Sequence, residues 1–206
     1  MSYRSPTDFV VLHALRIKGF ATTETIAEIA ERSPQSVNDQ LCAAEAGGLV
    51  RFREGRDLWQ LTDDGRQEHA RLLELDNQSS RADEALRGVY PGFLALNDEF
   101  KQICTDWQVR GDEVNDHGDV EYDSGVIERL ETLHREASTV LSDIGGIVDR
   151  LEPYGHRLQA SIERLRDGET SMFTGVMCGS YHDVWMELHE DLILTQGIDR
   201  AAEGSF

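Results

Sequence analysis

Residues 22–65 read TTETIAEIAERSPQSVNDQLCAAEAGGLVRFREGRDLWQLTDDG, and this stretch decides the fold. After Thr22 and Thr23, the apolar residues Ile26, Ile29 and Ala30 recur at helical spacing. A turn follows at Arg32 and Ser33. Ser33 precedes Pro34, which puts a capping hydroxyl before a proline at the first helical position, where its missing N–H costs nothing. The helix so opened, residues 34–46, carries Val37, Leu41 and Ala44 on one face and stops at Gly47 and Gly48. Residues 49–53 (LVRFR) and 58–61 (LWQL) are short β-compatible runs around Glu54, Gly55, Arg56 and Asp57, the spacing of a hairpin with a four-residue loop. Thr62 then caps a further helix from about Asp63.

The order helix, tight turn, helix, hairpin, helix resembles a winged helix-turn-helix. The string Leu61-Thr62-Asp63-Asp64-Gly65-Arg66 is similar to the Leu-Thr-x-x-Gly-Arg that ends the wing in the MarR and PadR families of bacterial transcription regulators. The resemblance covers roughly the first third of the chain and implies a partner, double-stranded DNA. It places helix 34–46 in the major groove and the wing, 49–61, on the backbone. MarR chains have an extra helix before the first one seen here (Ser5 to about Ile17, with Phe9, Val10, Leu12 and Leu15 on its apolar side). This chain has no room for it, which moves dimerisation to the C-terminal part, as in PadR-like chains.

Helix 34–46 offers Gln35, Ser36, Asn38 and Gln40, with Ser33 at its start, all able to hydrogen-bond base edges. It has no Arg or Lys and it carries Asp39, so phosphate contacts are expected from Arg51, Arg53 and Arg56 on the wing and Arg66 beyond it, with Arg4 and Arg32 as additions. Net charge is the opposing fact, at -19. Residues 1–76 hold nine basic and thirteen acidic side chains, so most of the excess acid lies in the remainder. Such a body weakens non-specific DNA affinity. A sequence-reading head on an acidic body is one reading; a winged helix that docks a protein and binds no DNA is the alternative.

The polar interval Asp76–Ser80 suggests a boundary between a DNA-binding unit, 1–76, and a helical unit for dimerisation and effector binding, 77–206. Pro91 is expected to start or kink a helix near Tyr90. Gly111 to Gly125 reads as a long acidic loop whose order of acids does not match an EF-hand. From Val126 to Leu158, apolar residues repeat at 3-4 spacing: Val126, Leu133, Val140, Ile147 and Tyr154 on one seam, Leu130, Ala137, Ile144 and Leu151 on the other. That predicts one long helix kinked near Pro153, packing within a bundle or against its copy in a homodimer. A last helix is expected from about Ser171 to Thr195. The expected class is therefore mainly α: three helices plus a two-stranded wing, then an all-helical bundle or coiled coil.

CTDWQ (104–108), NDH (115–117) and SYHDVWMELHEDL (180–192) together resemble a C-terminal domain attached to winged-helix regulators of actinobacteria. If that domain senses a small molecule, Trp107, Asn115, Asp116, His117, Tyr181, His182, Trp185 and His189 are the candidate effector residues, aromatic walls with a few polar groups. The widely spaced Cys42, Cys104 and Cys178 suggest reduced thiols, and Cys42 reads as a small packing residue. No metal-ligand cluster, Walker loop, GxSxG, HExxH or GxGxxG occurs, so neither a cofactor nor an enzyme is expected. The absence of a long apolar run or signal pattern predicts a cytoplasmic protein. Taken together, these features predict a dimeric DNA-binding transcription regulator reading an inverted repeat, with a possible effector.

Overall fold

The computed structural model describes residues 3–199. The chain is mainly helical, with a small antiparallel sheet. α1 (Thr7–Lys18) leads into β1 (Phe20–Ala21), α2 (Thr23–Ala30) and α3 (Pro34–Ala46). The hairpin β2 (Val50–Arg53) and β3 (Leu58–Leu61) follows, then α4 (Asp63–Ser80). The caps fall where the sequence puts them. Thr22 Oγ1 accepts from the Thr25 amide, Ser33 Oγ from Ser36, and Thr62 Oγ1 from Gly65. One strand goes beyond the expected two, because β1 adds to β3 and the sheet order is β1-β3-β2.

Val11, Leu12 and Leu15 of α1, Ile26 of α2, Val37 and Leu41 of α3, and Val50, Trp59 and Leu61 of the hairpin share one core. The sheet closes on α4 through Thr62, whose hydroxyl donates to the Gly48 and Leu49 carbonyls. Gly65 sits so close to this strand start that a β-carbon there would lie 1.9 Å from the Leu49 carbonyl oxygen. Only glycine fits a helix first turn pressed against backbone in this way.

α4 does not end where the polar interval begins. It runs through the polar interval to Ser80 and reverses at Arg81, which takes left-handed backbone. The reason lies in its pattern: Asp76 is buried and Asn77 donates to the Thr195 carbonyl, so these polar residues face protein. The boundary expected at residue 76 thus falls inside a helix. The far end of the expected second unit, 200–206, lies outside the described residues.

α5 (Ala82–Gln108) passes unbroken through Pro91, which lies on its exposed side. The acidic loop contains a short hairpin, β4 (Val109–Arg110) with β5 (Glu113–Val114), and it ends early: Asp119 caps α6 (Val120–Gly145). The expected long kinked helix is two helices. α6 stops at Gly145 and Gly146, a 3-10 turn spans Asp149–Leu151, and α7 (Glu152–Arg166) packs back along α6. Glu131 pairs with Arg166 and His134 with Gln159, which marks the antiparallel register. A β-carbon on Gly145 would meet Glu152 Cα at 3.2 Å, so the reversal uses glycine at its tightest point. The 3-4 seam is consequently spent inside one chain: Val126, Leu130, Leu133, Ala137, Ile144, Leu151, Tyr154 and Leu158 are all buried together with α5.

The last helix is also divided. α8 (Ser171–Thr174) ends at Gly175, and α9 (Tyr181–Gln196) restarts at the Ser180 cap. Met177, inside the span of the expected helix, takes left-handed backbone and is exposed. Among the described residues, no helix is long and apolar enough to cross a membrane.

The two parts of the chain meet across a buried polar joint. Arg150 donates to Asp191 and, from Nη2, to Thr195 Oγ1 at 2.8 Å. Its Nε lies 3.5 Å from Asp76. His13 of α1 sits 3.0 Å from Asp191 through Nε2 and 2.9 Å from His69 of α4 through Nδ1. Tyr154 donates to the other oxygen of Asp191. Burial works against the charge on Arg150, but Asp191 and Asp76 outweigh it and hold its pKa high. Burial alone would raise the Asp191 carboxyl, and Arg150 with His13 overcomes this and lowers it. Asp76 lies farther from the guanidinium and its Oδ1 has no hydrogen-bond partner, so burial wins there and its pKa is raised.

Candidate nucleic-acid interface

α3 turns Val37 and Leu41 inward and leaves Gln35, Asn38 and Asp39 exposed, with Ser36 and Gln40 half-buried. Gln35 Nε2 donates to Asp39 Oδ1 at 2.8 Å, one turn on. Ser33 is exposed, with its oxygen engaged as the cap of α3. Cys42, expected as a packing residue, is exposed on the same helix, because the inward positions of α3 are taken by Val37 and Leu41. Cys104 is buried, Cys178 is exposed, and all three thiols are free.

Beside α3, the edge strand β2 is held by Glu45, whose carboxylate accepts from the Phe52 amide at 3.3 Å. Along β2 and β3 the residues alternate. Val50, Trp59 and Leu61 face the core, whereas Arg51 and Arg53 are exposed on the opposite face, with Arg56 in the loop. Arg53 Nε donates to Gln60 Oε1 at 3.2 Å. Arg66 is exposed in the first turn of α4.

The ion pairs of the chain set these four arginines apart. Among the described residues, every Lys and Arg except Arg51, Arg53, Arg56, Arg66 and Arg135 lies within 4.0 Å of a carboxylate. Arg135 sits apart on α6 and donates to Thr132. In a chain with about two acids per base, a guanidinium without a carboxylate is the exception, and four of the five exceptions belong to the hairpin and the turn after it. Of the two other expected contacts, Arg32 is spent internally and Arg4 is exposed near a carboxylate. Arg32 is mostly buried, 3.1 Å from Asp149 and donating to the Ser5 carbonyl, and Arg4 reaches the same Asp149 at 3.9 Å. Asp149 holds both because it also caps the chain start, accepting from the Ser5 amide.

The expected effector residues fall into two groups. Tyr181, Trp185 and His189 project from α9 into the core, where Trp185 stacks on Phe93 at 5.0 Å and donates to Asn97, and His189 meets Tyr90. Burial pushes the Tyr181 hydroxyl well up and the His182 imidazole down. His182 itself is half-buried and borders a shallow depression with Met177 and Glu190. Trp107, Asn115 and His117 gather instead at the β4–β5 hairpin. The His117 ring packs on Trp107 at 4.4 Å, Asn115 donates to the Trp107 carbonyl and to Asp123, and Asp116 is exposed beside them. Both groups consist of rings packed on rings, with Asn97 accepting from Trp185 and Asn115 held by the Trp107 carbonyl and Asp123. They lie at two separate places in the body. Among the described residues, no cluster of His, Cys, Asp and Glu is arranged to hold a metal ion.

Phe20 escaped the sequence reading. It is a large apolar side chain, 41% exposed, on a strand of two residues, too short to show alternation. The glycine before it was the one signal. Compared with known proteins, the chain matches no family model, no characterised protein and no solved structure.

Proposed function

We propose that the chain is a DNA-binding transcription regulator of the winged helix-turn-helix kind, in which α2 and α3 are the turn motif and the β2–β3 hairpin is the wing. α3 reads base edges in the major groove through Gln35, Ser36, Asn38 and Gln40. Arg51, Arg53, Arg56 and Arg66 take phosphates. One observation carries the reading: among the described residues, four of the five cations that no carboxylate neutralises lie on the hairpin and the turn after it, beside a helix that exposes Gln35 and Asn38 along with Asp39. A polyanion meets repulsion over most of this acidic surface and free guanidinium groups here, which confines binding to one face.

An inverted-repeat operator takes two copies of the chain. The 3-4 seam does not supply that contact, so the dimer surface is a separate part of the proposal, tested by the stoichiometry of the complex. Selection of bound sequences from random duplex DNA at moderate salt tests the reading. The expected result is a two-fold motif whose affinity falls steeply with salt. No enrichment at any salt would overturn it. Asp39 at the centre of α3 favours a second reading, in which the same helix docks a protein with basic residues. That reading predicts no duplex enrichment and a partner contacted through Asp39.

A further inference from the structure

The outward face of the sheet carries more than phosphate contacts. The strand register sets Phe20, Gln60 and Arg51 in one row across β1, β3 and β2, and Leu58 beside Arg53 in another. Residues opposite one another in a sheet share a face, and their neighbours along the strand point to the other side. The intervening residues Ala21, Trp59, Val50 and Leu61 are buried, so this row faces solvent. With Arg56 from the loop, it lines an open groove of about 740 Å³. Phe20 and Arg51 lie two strand spacings apart, roughly 10 Å, within reach of one nucleotide and its neighbour's phosphate.

The Phe20 ring is 41% exposed, and it stands in register with Arg51, which lacks a carboxylate. A flat ring offers stacking to a nucleobase, and guanidinium groups offer charge to phosphates. A duplex keeps its bases stacked on one another, so only an unpaired nucleotide presents a free face to Phe20. We propose that this sheet face binds single-stranded nucleic acid, with one base stacked on Phe20 and the flanking phosphates held by Arg51, Arg53 and Arg56. The charge of the chain supports this occupant over a protein segment: at -19 overall, three of the five described cations without a carboxylate line the groove with this ring, against one acid, Glu54. The inference rests on the nucleic-acid reading for its arginines but does not use α3, so the two fail separately.

The test uses the full chain, a fluorescein-labelled short oligothymidylate and a blunt random-sequence duplex, followed by anisotropy at low salt. The expected result is saturable oligothymidylate binding that Phe20→Ala weakens about ten-fold, the worth of one stacked base. Phe20→Ala leaves the duplex affinity unchanged. Phe20→Trp restores strand binding, and its indole fluorescence is quenched on addition of the strand. Because Phe20→Trp keeps a ring in place, its quenching remains readable if Phe20→Ala does not fold. Gln35→Ala, on α3, leaves the oligothymidylate affinity intact. Absence of saturable binding, an unchanged affinity in Phe20→Ala, or an equal loss for strand and duplex would each overturn the proposal. Strand binding without duplex enrichment would retain it and remove the α3 reading.

Discussion

The α-carbon of Gly65 lies so near Leu49 that no side chain fits between the first turn of α4 and the start of β2. This contact sets the distance from the hairpin to the helix behind it, and Thr62 locks it with two hydrogen bonds to the same strand start. Gly65→Ala must push the backbone apart. Overpacking of this kind costs about 1–3 kcal/mol. A urea titration is expected to show a lower midpoint, with weakened DNA binding because Arg51 and Arg53 move with β2.

Replacing Arg51, Arg53 or Arg56 with Ala is expected to weaken duplex binding on all sequences and to flatten the plot of log affinity against log salt by about one unit each. Arg135→Ala is the control, since it too lacks a carboxylate but lies on α6. It should change neither affinity nor slope. Equal effects from Arg135→Ala would mean that only net charge matters.

Asn38→Ala is expected to relax sequence preference rather than lower affinity evenly, by about 1–3 kcal/mol at one base pair. Parallel sequence selections with the wild type and the variant measure this. Gln35→Ala should do the same and also release Asp39 from its hydrogen bond.

Asp191→Asn takes the carboxylate from buried His13 and the nearer of two carboxylates from buried Arg150, leaving it only the more distant Asp76. Breaking one partner of a buried pair costs about 3–5 kcal/mol. The expected outcome is a large fall in the thermal midpoint, with both parts of the chain melting together, because the network ties α1 and α4 to α9.

Acid should loosen the same joint. Burial first, then His13 and Arg16, pushes the His69 imidazole down to about 3, so it stays neutral in the folded chain. The unfolded chain regains the ordinary value near 6.5. The unfolded state therefore takes up the proton first. The stability His69 contributes is whole above pH 6.5 and drains away as pH falls toward 3, by about 1.4 kcal/mol per unit. Asp191, held low when folded, adds loss in the same direction below its ordinary value near 3.8; Asp76, raised, opposes it. Urea midpoints between pH 7 and pH 5 measure the slope, and His69→Gln is expected to flatten it.

Local chemistry made the first third of the chain legible. Ser33 with Pro34, Thr22 and Thr62 each declare a helix start through a single hydroxyl, and the structure uses all three. The helical body was harder to read because its decisive events are not local. The seam from Val126 to Leu158 stays in phase across the break at Gly145, since two antiparallel helices that share one core both need the same spacing. Asp76 and Asn77 read as solvent-seeking until Arg150 and Thr195, far along the chain, supply their partners. The aromatic and polar residues of α9 suggested a ligand, but Asn97 and Tyr90 from α5 meet them instead. At the hairpin, sequence gave the arginines but not their isolation from carboxylates, which only the full set of ion pairs reveals.

The buried joint has a consequence for modular inheritance. Its members come from α1, α4, the 3-10 turn, α7 and α9, so neither side is complete alone. A gene fusion that grafted the first eighty residues onto a foreign partner would strand His13 without Asp191 and Asp76 without Arg150. The first eighty residues and the helical body must therefore travel, mutate and be exchanged as one heritable piece.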